Sequence, residues 1–158
     1  MKRKFEWKKL IISIIIAQAA GMIGSVFTTP SIATWYASIN RPPITPPNWL
    51  FAPMWISLFT LMGVGFYFIW VKGIKKHKLA STLYFIQLGL NSLWSIIFFG
   101  LHSILFGAIE IVFLWFFILA TIIEFKAVDK RAGYLLLPYL AWVTLATLLN
   151  ISIVFFNP

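Results

Sequence analysis

Five unbroken apolar runs, at residues 10–27, 49–71, 79–101, 104–123 and 132–156, take up most of a 158-residue chain. Each is close to the roughly 20 residues that a helix needs to cross the hydrocarbon of a bilayer. Inside that layer no water is available to the backbone, so amides and carbonyls must bond within a helix or around a closed barrel. A barrel with a polar lumen requires apolar and polar residues to alternate, and these runs do not alternate. The reading is an all-α membrane protein, a single five-helix transmembrane domain over residues 1–158. Its helices are expected at about 8–28, 49–72, 79–101, 104–125 and 132–156, with a longer connection at 29–48. A hydrophobic content of 61% and a charged content of 11% leave no separate soluble domain, since soluble domains run near 45–50% and 25%.

The formal charge of +9 raises the question of a nucleic-acid partner. The basic residues, however, form short clusters at span ends rather than one stripe, so membrane orientation accounts for them and no nucleic acid is expected. Lys2, Arg3, Lys4, Lys8 and Lys9 precede the first run; Lys72, Lys75, Lys76 and Lys78 follow the second; Lys126, Lys130 and Arg131 follow the fourth. Only Arg41 falls among the other connections. By the positive-inside rule the N-terminus lies inside, the C-terminus outside, and the proline-rich stretch NRPPITPPNW at residues 40–49 on the outer face. A competing reading takes Ala17-Gln18-Ala19 as a signal-peptide cleavage site. The run continues past it to Phe27, and cleavage would remove the small residues Ala17, Gly21 and Ser25 that suit close helix packing.

Conventional catalysis has little to work with. No cysteine is present. His102 and Asp129 fall at opposite ends of the fourth span, about 30 Å apart, as do His77 and His102 across the third. No metal-hydrolase or phosphate-loop motif is found.

Aromatic residues make up 18% of the chain, with eight tryptophans. Trp7, Trp70, Trp35 and Trp49 fall at span ends, where an amphipathic indole is ordinary. Trp55, Trp94, Trp115 and Trp142 lie within spans and need another account. Helical rise puts Trp55 and Trp94 roughly 10 Å, Asn91 roughly 15 Å and Trp142 roughly 20 Å below the outer end. Gln87, Asn91 and Trp94 share one helix face, and Trp142, Ala146 and Asn150 share another. Two faces, each pairing amide with indole, can meet in one apolar cavity with few polar groups. Buried amides also serve as glue between membrane helices, so packing competes with binding as their purpose. Glu110 is a functional candidate because a charge within the membrane is costly, although its shallow position also permits snorkelling or a structural hydrogen bond. The paired prolines narrow the loop's shapes and suggest a lid, with Trp35 and Tyr36 available to contact a ligand; a rigid spacer is the alternative.

WYASINRPPITPPNW, FAPMWISLFTLMG, QLGLNSLWSIIFFG and AGYLLLPYLAWVTLATLLN, in this order, resemble the translocator protein family, also called tryptophan-rich sensory proteins, over nearly the whole chain. A bacterial member, in the cytoplasmic membrane, is implied. So is a five-helix bundle, commonly a homodimer in membrane lipid, that binds porphyrins, sterols and synthetic isoquinoline-type ligands under the first loop. Carried over by position, the binding residues are Tyr36, Pro47, Trp55, Phe59, Gln87, Asn91, Trp94, Trp142 and Ala146. The resemblance also implies light- and oxygen-dependent breakdown of protoporphyrin at Trp55 and Trp142, the porphyrin being ligand or substrate and not a cofactor. Transport or sensing without chemistry, and a purely structural dimer, are the competing functions. The animal cholesterol motif is missing, because no basic residue follows Arg131, and Phe59 stands where the family often has tyrosine.

Overall fold

A computed structural model describes residues 5–158, so Lys2, Arg3 and Lys4 of the first basic cluster lie outside the described residues. The order is α1 (Trp7–Ile32), a short α2 (Trp35–Ser38), α3 (Asn48–Lys72), α4 (Lys78–Ser95) continued by a π-helical turn (Ile96–Gly100), α5 (Ile104–Val128), α6 (Lys130–Leu135) and α7 (Leu137–Phe156). Among the described residues there is no strand. Five segments are long and apolar enough to cross a membrane: Trp7–Ile32, Asn48–Lys72, Lys78–Gly100, Ile104–Val128 and Lys130–Phe156. The expected five-helix bundle is therefore present. One end carries the lysine-rich connections, and the other carries the proline loop.

Several helix ends depart from the positions expected of the sequence, each for a local reason. The first helix runs to Ile32 through Pro30. Thr28, the expected last residue of this helix, folds its hydroxyl back onto the Gly24 carbonyl (3.1 Å), a bond that lets threonine sit inside a helix. The last span is broken at Leu136, two residues before Pro138 in the first turn of α7, where proline has no N–H to continue the helical hydrogen bonds of the preceding turn. At the loop end α4 widens into the π turn, where Leu101 N–H reaches back to the Ile96 carbonyl at 2.8 Å. Ser31 Oγ donates to the Phe99 carbonyl there at 2.8 Å, tying α1 to the turn.

Small residues set how closely the helices approach. A Cβ added to Gly63 would lie 2.5 Å from the Ile14 Cα, so α1 and α3 touch backbone to backbone. One added to Gly24 would lie 2.9 Å from Ser95 Oγ, and one at Gly21 would strike the Phe59 ring. The small residues of α1 thus find partners inside the chain. Its other face, with Ile11, Ile15, Met22, Ile23 and Val26 exposed, is free for lipid.

The lysine end is closed by Asp129. Its carboxylate caps α6 by accepting the Arg131 amide (3.0 Å), takes the Arg131 guanidinium on both oxygens, and pairs with Lys72 Nζ at 3.1 Å. Lys72 also donates to the Val128 carbonyl at 2.7 Å, so α3, α5 and α6 are joined at one point. The Arg131 hydrogen bonds, helped by Lys72, draw the Asp129 pKa from 3.8 down to about 2 against the opposing effect of burial. A carboxylate depressed in the folded state adds stability that is fully present above its unfolded value and lost as pH falls through the folded one. Melting temperature is accordingly expected to drop between pH 4 and pH 2. Asp129→Asn should melt lower at pH 5 and lose less over that window; parallel curves for both proteins would contradict the assignment.

Candidate functional site

At the loop end α1, α3 and α4 spread apart around a cavity of about 280 Å³. From α1 come Gln18, Gly21, Ser25 and Thr28, spaced so that one helix face lines the hollow. Across from them stand Phe51, Trp55 and Phe59 of α3, with Asn91, Trp94 and Ser95 of α4 as the back wall. The exposed side chains of Met22, Ser25 and Ile56 also belong to the lining, so the cavity opens sideways between α1 and α3, toward the lipid-facing surface. No lining side chain is cationic.

The walls are fixed by packing and by hydrogen bonds that cross the bundle. Trp94 lies flat on Phe98 (5.6 Å, 11°) and donates its indole N–H to Asn150 Oδ1 at 3.2 Å. Asn150 in turn donates to the Ala146 carbonyl at 2.9 Å. Asn91 donates through Nδ2 to the Tyr139 hydroxyl at 2.9 Å. Each such bond between membrane helices is worth about 0.6 kcal/mol. Trp55 packs against Phe59 (5.6 Å) and Tyr139 (6.2 Å).

Phe51, Trp55 and Trp94 also wall a second, much smaller hollow of about 20 Å³, whose far side is Pro46, Trp142 and Ala146. Two cavities therefore share an aromatic partition. Trp55, Phe59, Asn91 and Trp94 meet in the larger one, while Trp142 and Ala146 reach only the smaller.

Three of the residues expected from the sequence line neither. Gln87 is completely buried, its amide nitrogen 3.7 Å from Met62 Sδ and its Oε1 without a partner among the described residues. Pro47 precedes α3 and accepts the Leu50 amide at 3.0 Å. Tyr36 is buried beneath the Arg41 guanidinium, 4.6 Å above its ring, and meets Phe51, Phe98 and Phe99 edge-on. Burial raises the Tyr36 pKa, and Arg41 opposes that rise. Trp35 stacks on His102 at 4.6 Å, so it is occupied in packing.

The loop is tied down at its start. Asn40 donates its backbone N–H to Asn157 Oδ1 (3.0 Å) and its side chain to the Phe156 carbonyl (3.2 Å), while Asn157 returns a bond to the Asn40 carbonyl (2.9 Å). These bonds hold the loop against the end of α7. Glu110 is 7% exposed, and neither carboxyl oxygen has a partner among the described residues. It borders a separate apolar groove with Ser103, Phe106, Ile109 and Phe113. Trp115 is outside both cavities, bonded through its N–H to Thr144 Oγ1 at 2.7 Å.

Gln18, Gly21, Phe51 and Ser95 are among the lining residues that reasoning from the sequence did not single out for binding. Gln18 carried a signal: it is an amide inside the first apolar run, three, seven and ten residues before Gly21, Ser25 and Thr28.

The sequence model described as the TspO/MBR family matches residues 13–156. The tryptophan-rich protein TspO of Archaeoglobus fulgidus is 44% identical over 149 residues, covering 94% of this chain and 97% of the relative. A protein of the same name from Chlorobaculum tepidum is 41% identical over 151 residues, 94% of this chain and 96% of the relative. The translocator protein of Bos taurus is 33% identical over 147 residues, 91% of this chain and 87% of its own.

Proposed function

Since the chain belongs to the TspO/MBR family, we propose that this integral membrane protein binds a tetrapyrrole, with protoporphyrin as the model ligand, in the cavity between α1, α3 and α4. The observation that carries the reading is the indole-walled, mostly apolar hollow of about 280 Å³ with Asn91 among its polar side chains, the composition of a small-molecule site. A whole tetrapyrrole exceeds that volume. One edge of the ring enters, and movement of Trp55 merges the two hollows it now separates. The ring's carboxylates stay outside, because an unpaired charge in such a cavity is costly. Isoquinoline-type compounds occupy the same hollow. The N-terminus is inside, the loop faces outward from a bacterial cytoplasmic membrane, and two copies form a homodimer.

Trp55 stands in the aromatic partition and Trp142 across the smaller hollow. Excited porphyrin takes one electron from an indole and passes it to dioxygen, giving superoxide, and the indole radical cation regains an electron from the porphyrin. Net, one electron moves from porphyrin to dioxygen, and the porphyrin radical cation is what breaks down. Titrating purified protein with protoporphyrin is expected to quench tryptophan fluorescence saturably. Under illumination in air the porphyrin band should decay faster with wild type than with the Trp55→Phe, Trp142→Phe double variant. Absence of quenching removes the binding reading, and equal decay removes the chemistry alone. The sideways opening favours transport or sensing as the second reading, and flux into sealed vesicles no greater than that of empty ones would count against transport.

A further inference from the structure

Gln18 is the polar side chain at the deep edge of the cavity whose hydrogen bonding is only half used. Its amide nitrogen donates to the Ile56 carbonyl at 2.9 Å and to Thr60 Oγ1 at 3.0 Å, bridging α1 and α3. The Ile56 carbonyl can only accept, so it settles which arm of the amide faces α3. That leaves Oε1 as the arm without a partner: among the described residues nothing donates to it, and Gln18 lines the cavity. The hydroxyl that Gln18 touches, that of Thr60, cannot supply a donor, because it gives its proton to the Ile56 carbonyl at 2.8 Å. Ser25 has committed its proton to the Met22 carbonyl (2.8 Å), and Thr28 has committed its own to Gly24. Next to Gln18, near Met22 and Ile56, the wall therefore presents acceptors.

We propose that Gln18 is a specificity-determining residue of the cavity, whose Oε1 accepts a hydrogen bond from a neutral N–H or O–H group on the ligand and so selects donors over shape-matched molecules that lack one. The proposal rests on the larger cavity being the ligand site, and it deepens that reading by naming the chemistry read at its α1 wall. A ligand with a donor there fills the free arm of the amide. One without a donor leaves Oε1 desolvated and unpaired, an asymmetry that makes hydrogen-bonding sites reject the group-deleted analogue.

Carbazole and dibenzofuran make the test, since they share a flat tricyclic body and differ in an N–H against a ring oxygen that cannot donate. Binding to the full chain in detergent micelles, measured by titration calorimetry, is expected to favour carbazole by about tenfold in wild type. In Gln18→Leu and Gln18→Met, which keep the bulk and remove the acceptor, the two probes should bind within about twofold of each other. Equal binding to wild type overturns the proposal, as does discrimination that persists in a folded Gln18 variant or failure of carbazole to bind. Loss of protoporphyrin binding with carbazole discrimination intact would instead strike the tetrapyrrole reading and leave the role of Gln18 standing.

Discussion

Gly63→Leu is expected to yield little or no folded protein, and Gly63→Ala to lower stability by about 1–3 kcal/mol. A Cβ at this position lands 2.5 Å from the Cα and 2.9 Å from the nitrogen of Ile14, both backbone atoms that no rotamer change can move. The whole of α1 must shift away from α3. Gly21 offers the contrast, because its added Cβ would meet the Phe59 ring, a side chain beside a cavity into which it can turn. Gly21→Ala should therefore cost less than Gly63→Ala and shrink the cavity. Thermal melting of the three variants in one detergent checks the order; a Gly63→Ala protein as stable as wild type would contradict the close approach of the two helices.

Trp55→Ala is expected to weaken protoporphyrin binding by about 30-fold or more, the roughly 2 kcal/mol characteristic of a central aromatic anchor. Trp55, like Phe51, lines both hollows from α3, and it alone of the two packs on Phe59 and Tyr139, so its removal takes away the stacking surface and lets the partition collapse. Trp115→Ala is the control. It deletes an indole of equal size from the α5–α7 seam, where Trp115 bonds Thr144 and touches neither cavity. Dissociation constants from fluorescence titration should separate the two variants by at least tenfold. Equal affinities would place binding elsewhere.

The spans were legible because a hydrocarbon layer imposes a length and forbids charge, and both constraints are written directly into the chain. The break at Leu136 was half legible: Pro138 announces it, yet an apolar run reads the same on either side. The π turn was not, since one extra residue per turn leaves no mark in a run as uniform as IIFFG. At the site, Trp55, Asn91 and Trp94 were found because an indole or amide within a span is conspicuous. The α1 wall was passed over because small residues in a membrane helix signal close packing, and Gly63 against Ile14 shows that they do pack closely. The same helix, a few turns nearer the loop, stands off and leaves a hollow instead. Gln87 shows the converse, an amide on the right face of α4 but too deep, so that the packed core around Met62 encloses it.

A structure determined with protoporphyrin bound tests the central claim most directly. The account predicts ring density in contact with Trp55, Phe59 and Trp94 and with the α1 residues Gln18 and Gly21, with the Trp55 side chain displaced toward Trp142. Density confined to the groove beside Glu110, or to the loop surface above Tyr36 with the α1–α3–α4 hollow empty, would contradict it.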